Sequence, residues 1–76
     1  MMLSSLEINE TCVVLGVKDS SKSFLNYLDS LEIRLGSSIK VINKEVFDNS
    51  MKIELGGKLL SLSYQITKNL FIKKES

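Results

Sequence analysis

The chain has no histidine, no tryptophan and a single cysteine, Cys12, in 76 residues. Without histidine it has no side chain that titrates near neutrality for general acid–base work, and no imidazole for a transition-metal site. One cysteine cannot close an intrachain disulfide, and that usage suits a reducing, cytoplasmic setting. Cys12 stands in mid-strand among valines, with no base or cation beside it to make it a nucleophile, so it is expected in the core. The apolar runs are a few residues long, far short of the ~20 that span a bilayer. No charged n-region with an apolar h-region opens the chain, so no secretory leader is expected. Charge is balanced, 10 basic against 9 acidic residues, so no strong field draws nucleic acid or anionic lipid. These absences point away from an enzyme and from a metal site formed by this domain alone.

What is present is a single small domain over residues 1–76, with 43% of its residues apolar. At this size nearly every apolar side chain must be buried, and that fraction can do it without staples. Thr11 to Val17 reads as a strand buried on both faces for most of its length. Gly16 inside it predicts a bend or a close backbone approach. Asp19, Ser20 and Ser21 are N-cap formers. They open a helix of at most about three turns, with Phe24, Leu28 and Leu31 on one stripe and Leu25 beside it. Gly36 supplies a positive φ that reverses the chain.

Ile39–Asn43 reads as a strand, Asp48-Asn49 as a turn, and Met51, Ile53 and Leu55 alternate with Lys52 and Glu54. Gly56-Gly57 is a two-residue hairpin turn of the primed type. Leu59–Leu62 returns, Ser63 caps a helical turn carrying Ile66 and Leu70, Phe71–Lys73 is a last strand, and Lys74–Ser76 is tail. The fold class is mainly β: five short antiparallel strands, one inserted short helix and a late helical turn, bent into a barrel that removes sheet edges.

The surface offers little chemistry. Asp29 and Glu32 make at most a weak oxygen site, and a solvated helix face with Arg34 as partner is the plainer reading. Lys40, Lys44, Lys52 and Lys58 project from neighbouring strands, but no aromatic residues interleave with them as stacking platforms for nucleic acid. Protein contact remains. Tyr27, Phe47 and Tyr64 are the candidate partner-contact residues, although core or partly buried packing is the default for each; Phe24 and Phe71 read as core.

The pattern Leu25-x-x-Leu28-x-x-Leu31-x-Ile33-x-Leu35-Gly36-x-x-Ile39-x-Val41, then Phe47-Asp48-x-Ser50-Met51-x-Ile53, then Gly57-x-x-Leu60-x-Leu62-Ser63, then Ile66 and Phe71-Ile72, resembles the FeoA-like domain. The resemblance implies an SH3-like barrel. Such domains occur as stand-alone partners of a bacterial ferrous-iron transporter. They also form the C-terminal domain of metal-dependent repressors related to the diphtheria toxin repressor and the manganese transport regulator. The Val17–Ser21 entry, the Asp29–Gly36 turn and the Phe47–Ser50 turn look like the repressor versions. On that reading the chain is a C-terminal fragment of a cytoplasmic, homodimeric repressor, and Met1-Met2 is a start placed on the fragment. The parent would sense Fe2+ or Mn2+ and bind DNA through its missing domains, while this domain holds no cofactor and touches neither DNA nor membrane. Some relatives lend a carboxylate and an amide at the helix start to an ancillary metal; Ser20–Phe24 carries neither, so those ligands do not transfer. The alternative is a stand-alone accessory protein of a ferrous-iron transporter.

Overall fold

The computed structural model describes residues 1–75. A 3-10 turn at Leu3–Ser5 precedes strand β1 (Thr11–Val17), helix α1 (Lys22–Ser30), strands β2 (Ser38–Lys44), β3 (Met51–Leu55) and β4 (Lys58–Leu62), the short helix α2 (Tyr64–Thr67) and strand β5 (Leu70–Lys74). The strands form one five-stranded sheet in the order β4-β3-β2-β1-β5, and every pairing is antiparallel. The sheet bends over a single apolar core as an SH3-like barrel, the expected class. The ring of hydrogen bonds is incomplete: β4 and β5 are the sheet's two ends. The outer edge of β5 is covered by the N-terminus, through a bridge between Met2 and Phe71 and the Ile72 amide donating to the Met1 carbonyl at 2.8 Å.

Period-2 alternation decides what is buried. Cys12 and Val14 of β1, Ile39 and Val41 of β2, Met51 and Ile53 of β3, Leu62 of β4, and Leu70 and Ile72 of β5 face inward. They meet Leu3, Leu6, Leu28, Ile33 and Ile66. Cys12 is buried, as expected. Burial pushes its thiol up to about 11, with the Glu75 carboxylate adding to the rise.

Four expectations are corrected. β1 is buried on one face only, with Leu15 exposed, because an antiparallel sheet bent around one core covers its inward side and leaves the other to water. Of the two readings of Gly16, the bend is the one that holds and needs no correction: the register with β5 shifts between Val14 and Gly16, a bulge with Leu15 as its extra residue, while a Cβ at Gly16 would meet nothing within 4 Å. Phe71 is exposed rather than core, since Leu70 and Ile72 on either side take the inward positions. Leu70 opens β5 instead of riding on α2, and Lys74 is also part of that strand. The tail reading applies only beyond it: the Glu75 amide donates to the Thr11 carbonyl at 2.9 Å, and Ser76 lies outside the described residues.

Helix α1 begins as its sequence predicts. Ser21 is the N-cap, its hydroxyl oxygen accepting from the Phe24 amide at 3.4 Å, while Asp19 Oδ1 accepts from the Ser21 amide at 2.9 Å. Its other end is less obvious from sequence. The Glu32 amide donates to the Asp29 carbonyl at 2.9 Å and the Ile33 amide to the Leu28 carbonyl at 3.0 Å. With Glu32 at φ 61°, these bonds make a Schellman motif, and its apolar clasp is the buried pair Leu28 and Ile33. Gly36, at φ 85°, then turns the chain toward β2 as expected.

Candidate functional site

The β2–β3 connection, residues 45–50, puts its apolar residues in water. Phe47 is 93% exposed and Val46 89%. The loop is nevertheless tied at several points. The Glu45 amide donates to the Ser50 carbonyl at 2.9 Å, closing its base. The Phe47 amide donates to Glu45 Oε1 at 3.3 Å and the Ser50 amide to Asp48 Oδ1 at 2.9 Å. Asn49 adopts the left-handed conformation, φ 60°, which asparagine tolerates. The Ser50 hydroxyl and then its amide hold the Asp48 carboxyl below the usual carboxylate value. The chain therefore spends hydrogen bonds on holding a turn whose apex is two apolar side chains.

Tyr64, the first residue of α2, lines a cleft of about 180 Å³ together with Val46, Glu45, Asn49 and Met51. Its ring lies 5.6 Å from Lys68 Nζ, within cation–π range. Tyr27, on α1, lines a second and more polar cleft of about 370 Å³ with Phe24, Ser63, Gln65 and Ile66. Tyr64 faces one cleft and Gln65 and Ile66 the other, so α2 is the ridge between them. The structure thus brings Tyr64 beside the Phe47 loop and places Tyr27 across α2 from both. Phe47 departs from the default of core or partly buried packing, whereas Tyr27, at 50% exposed, and Tyr64, at 44%, keep about half their surface covered; none lies at an inward position of a strand or on the buried stripe of α1.

Sequence reasoning passed over Val46, although an apolar pair bracketed by Glu45 and Asp48 in a turn was the available signal. It also passed over a groove of about 230 Å³ lined by Val17, Leu25 and Leu35, with Arg34 and Asp29 at its rim. That ion pair is 3.2 Å long, as the sequence suggested for Arg34. Glu32 instead reaches Lys58 at 3.8 Å, and Lys44 reaches Glu7 at 4.0 Å. Two of the four strand lysines singled out from sequence therefore have acidic partners.

The start of α1 does not fit a metal. Asp19 and Ser21 already spend oxygens on backbone amides, and the described residues contain no group of three or more His, Cys, Asp or Glu placed to hold an ion. No helix among them is long and apolar enough to cross a membrane.

The family model described as "FeoA domain" matches residues 1–74. Among solved structures, a manganese-dependent transcriptional repressor in complex with manganese superposes with a TM-score of 0.92 at 18% identity, over 99% of this chain and 36% of that one. The FeoA protein of Chlorobium tepidum superposes at 0.87 and 18% identity, over 100% of this chain and 71% of that one. An iron uptake regulatory protein, FeoA, superposes at 0.85 and 16% identity, over 99% of this chain and 96% of that one. At these identities the likeness is one of fold. The chain spans about a third of the length of the repressor and nearly all of that FeoA protein. No curated protein matches it by sequence.

Proposed function

This chain belongs to the FeoA domain family, and from that premise we propose that it is the C-terminal regulatory domain of an iron- or manganese-dependent transcriptional repressor of the cytoplasm. It catalyses nothing and holds no metal. Its role is to bias the metal-bound, DNA-competent homodimer through contacts with the parent's other domains, which carry the Fe2+ or Mn2+ sites and read the operator. The observation that carries this reading is the Phe47 turn, apolar at its apex and held by its own hydrogen bonds, set beside Tyr64 with Tyr27 beyond α2. A tethered apolar apex loses little conformational freedom on docking, which is what a contact surface requires. The superposition on a manganese-dependent repressor supports the same reading.

The test is operator binding by the protein encoded in the whole reading frame, titrated with Mn2+ or Fe2+. Replacing Phe47 and Tyr64 together by serine is expected to leave the barrel folded and to shift metal-dependent operator affinity by about 5- to 150-fold, the usual range of a regulatory coupling. If deleting the whole barrel changes neither operator affinity, dimerisation nor stability, the reading fails.

A second reading is favoured by one observation, the 96% coverage of an FeoA protein: the chain is a stand-alone accessory of a ferrous-iron transporter. The reading frame upstream of Leu3 separates the two. About 130 or more coding residues with a helix-turn-helix pattern, enough for one DNA-binding and one dimerisation domain, support the repressor. A stop codon there beside a transporter gene supports the accessory protein.

A further inference from the structure

The two ends of the sheet are treated differently. The edge of β5 is covered by Met1 and Met2. Among the described residues nothing covers the edge of β4 in that way, and its exposed residues include Leu59, at 58%. The pleat determines which backbone groups that edge presents. Gly56 and Gly57 have φ of 57° and 83°, a two-residue turn of type I′. Such a turn makes the flanking pair Leu55 and Lys58 a hydrogen-bonded one, and pairs then alternate along the ladder. With the observed register, Ile53–Leu60 and Met51–Leu62 are hydrogen-bonded pairs, while Glu54–Leu59 and Lys52–Ser61 are not. The N–H and C=O of Leu59 and Ser61 therefore point away from β3, and among the described residues no other backbone group bonds them.

We propose that this edge pairs with β4 of a second copy of the chain, antiparallel about a two-fold axis at Leu60. In that register Leu59 faces Ser61 of the other copy and exchanges both hydrogen bonds with it, and Ser61 does the same with Leu59. All eight outward groups are satisfied by four bonds. Shifting the register to pair Leu59 with itself, or Ser61 with itself, satisfies half of them. At the axis Leu60 meets its own copy as a non-hydrogen-bonded pair, the closer kind, with Cα atoms about 4.5 Å apart. Leu60 is half-buried against the core, and the contact extends that core across the axis.

Charge permits the approach. The net charge is only +1, and the one charged residue of β4, Lys58, faces Leu62 of the other copy rather than another lysine. Lys58 also lies 3.8 Å from Glu32, whose carboxylate offsets the positive charge at that end of the edge. Because Met1 and Met2 cover the opposite edge, the pairing closes as a dimer rather than propagating as a filament.

Sedimentation of the 76-residue chain tests this, with Ser61→Pro and Leu60→Cys as variants. The wild type is expected as a weak dimer whose fraction rises with concentration, since strand pairing alone buries a small area. Proline at position 61 removes an outward N–H and no bond to β3, a placement edge strands accept. It deletes two bonds per dimer, and dimerisation should weaken by about tenfold or more with the folded circular dichroism spectrum retained. Leu60→Cys should oxidise to a disulfide linking the two copies at that position, because the expected Cα separation lies within disulfide range, while the wild type, whose only thiol is the buried Cys12, should not cross-link. If Ser61→Pro unfolds the chain, the cross-link decides alone. A wild type that stays monomeric at millimolar concentration, or a Leu60→Cys variant that forms no such disulfide, overturns the proposal.

Discussion

Glu32 occupies a position that favours glycine. It is the residue after the C-cap of α1, at φ 61°, and the left-handed region costs an L-residue roughly 1–2 kcal/mol. Glycine there removes that cost but gives back about 0.4–1 kcal/mol through the extra freedom of the unfolded chain. It also loses the contact with Lys58. Both partners of that pair are well over half exposed at 3.8 Å, so the loss is small, at the low end of the 0–1 kcal/mol found for surface pairs. The net expectation for Glu32→Gly is stabilisation by about 0.5–1 kcal/mol, a rise in Tm of roughly 2–8 °C for a domain of this size. Glu32→Ala is the essential control: it removes the same ion pair and keeps the strain. Urea unfolding of the three proteins, with equal m-values as the check on two-state behaviour, should rank glycine above wild type and alanine at or below it. If alanine matches or exceeds glycine, the left-handed conformation at Glu32 does not carry the strain assigned to it.

Four further outcomes are expected. Ile53→Ala, at a fully buried position in the middle of β3, should cost about 2–5 kcal/mol in urea unfolding, much of what a small domain has. The Asp48 carboxyl is depressed in the folded protein by Ser50, so its contribution is present above the unfolded value and is lost as pH falls through the lower folded one. The Ser50 amide resonance should accordingly titrate with a midpoint below the ordinary 3.8 of aspartate, and a midpoint at or above that value would contradict the turn as described. Cys12 has the opposite sign. Its thiol is raised from 9.0 to about 11, so the unfolded state loses its proton first, and stability should fall from about pH 9 to 11 in the wild type but not in Cys12→Ala. The same thiol should resist iodoacetamide at pH 8 until the protein is unfolded in urea.

The parts of the fold legible in the sequence are those where one local rule acts without competition. Met51, Ile53 and Leu55 alternate cleanly because β3 has one wet face, and Gly56-Gly57 admits one short turn. Ser21 caps α1 because nothing nearby competes for the Phe24 amide. Reading failed where two rules applied to the same residues. Thr11–Val17 is apolar at nearly every position, so composition could not reveal that alternate side chains face water. The bulge at Leu15 resets the period in mid-strand, and Gly16 marked its neighbourhood but not its residue. Leu70 sits four residues after Ile66, a helical spacing that the inward face of β5 overrides. Glu32 gave no sign of a left-handed conformation, because the Schellman bonds that impose it are backbone bonds.

The proposed contact surface was half legible for a related reason. Apolar character predicts burial in one direction only: buried residues are mostly apolar, but apolar residues are not mostly buried. Tyr27, Phe47 and Tyr64 could be named as candidates, yet only the fold shows that they share no part of the core. That separation has a consequence. The sheet's inner face sets the stability of the barrel, whereas the Phe47 turn and the outer side of α2 belong to connections whose substitution leaves that face intact. Folding and recognition can then vary independently, and one barrel can serve different partners by changing a turn apex and a few ridge residues. The barrel superposes on both a manganese-dependent repressor and FeoA proteins at 16–18% identity, so the fold itself survives wide change in the residues it presents. On the proposed reading, the residues that select a partner domain are Val46, Phe47, Tyr64 and Tyr27, on the turn and the α2 ridge rather than on the sheet's inner face.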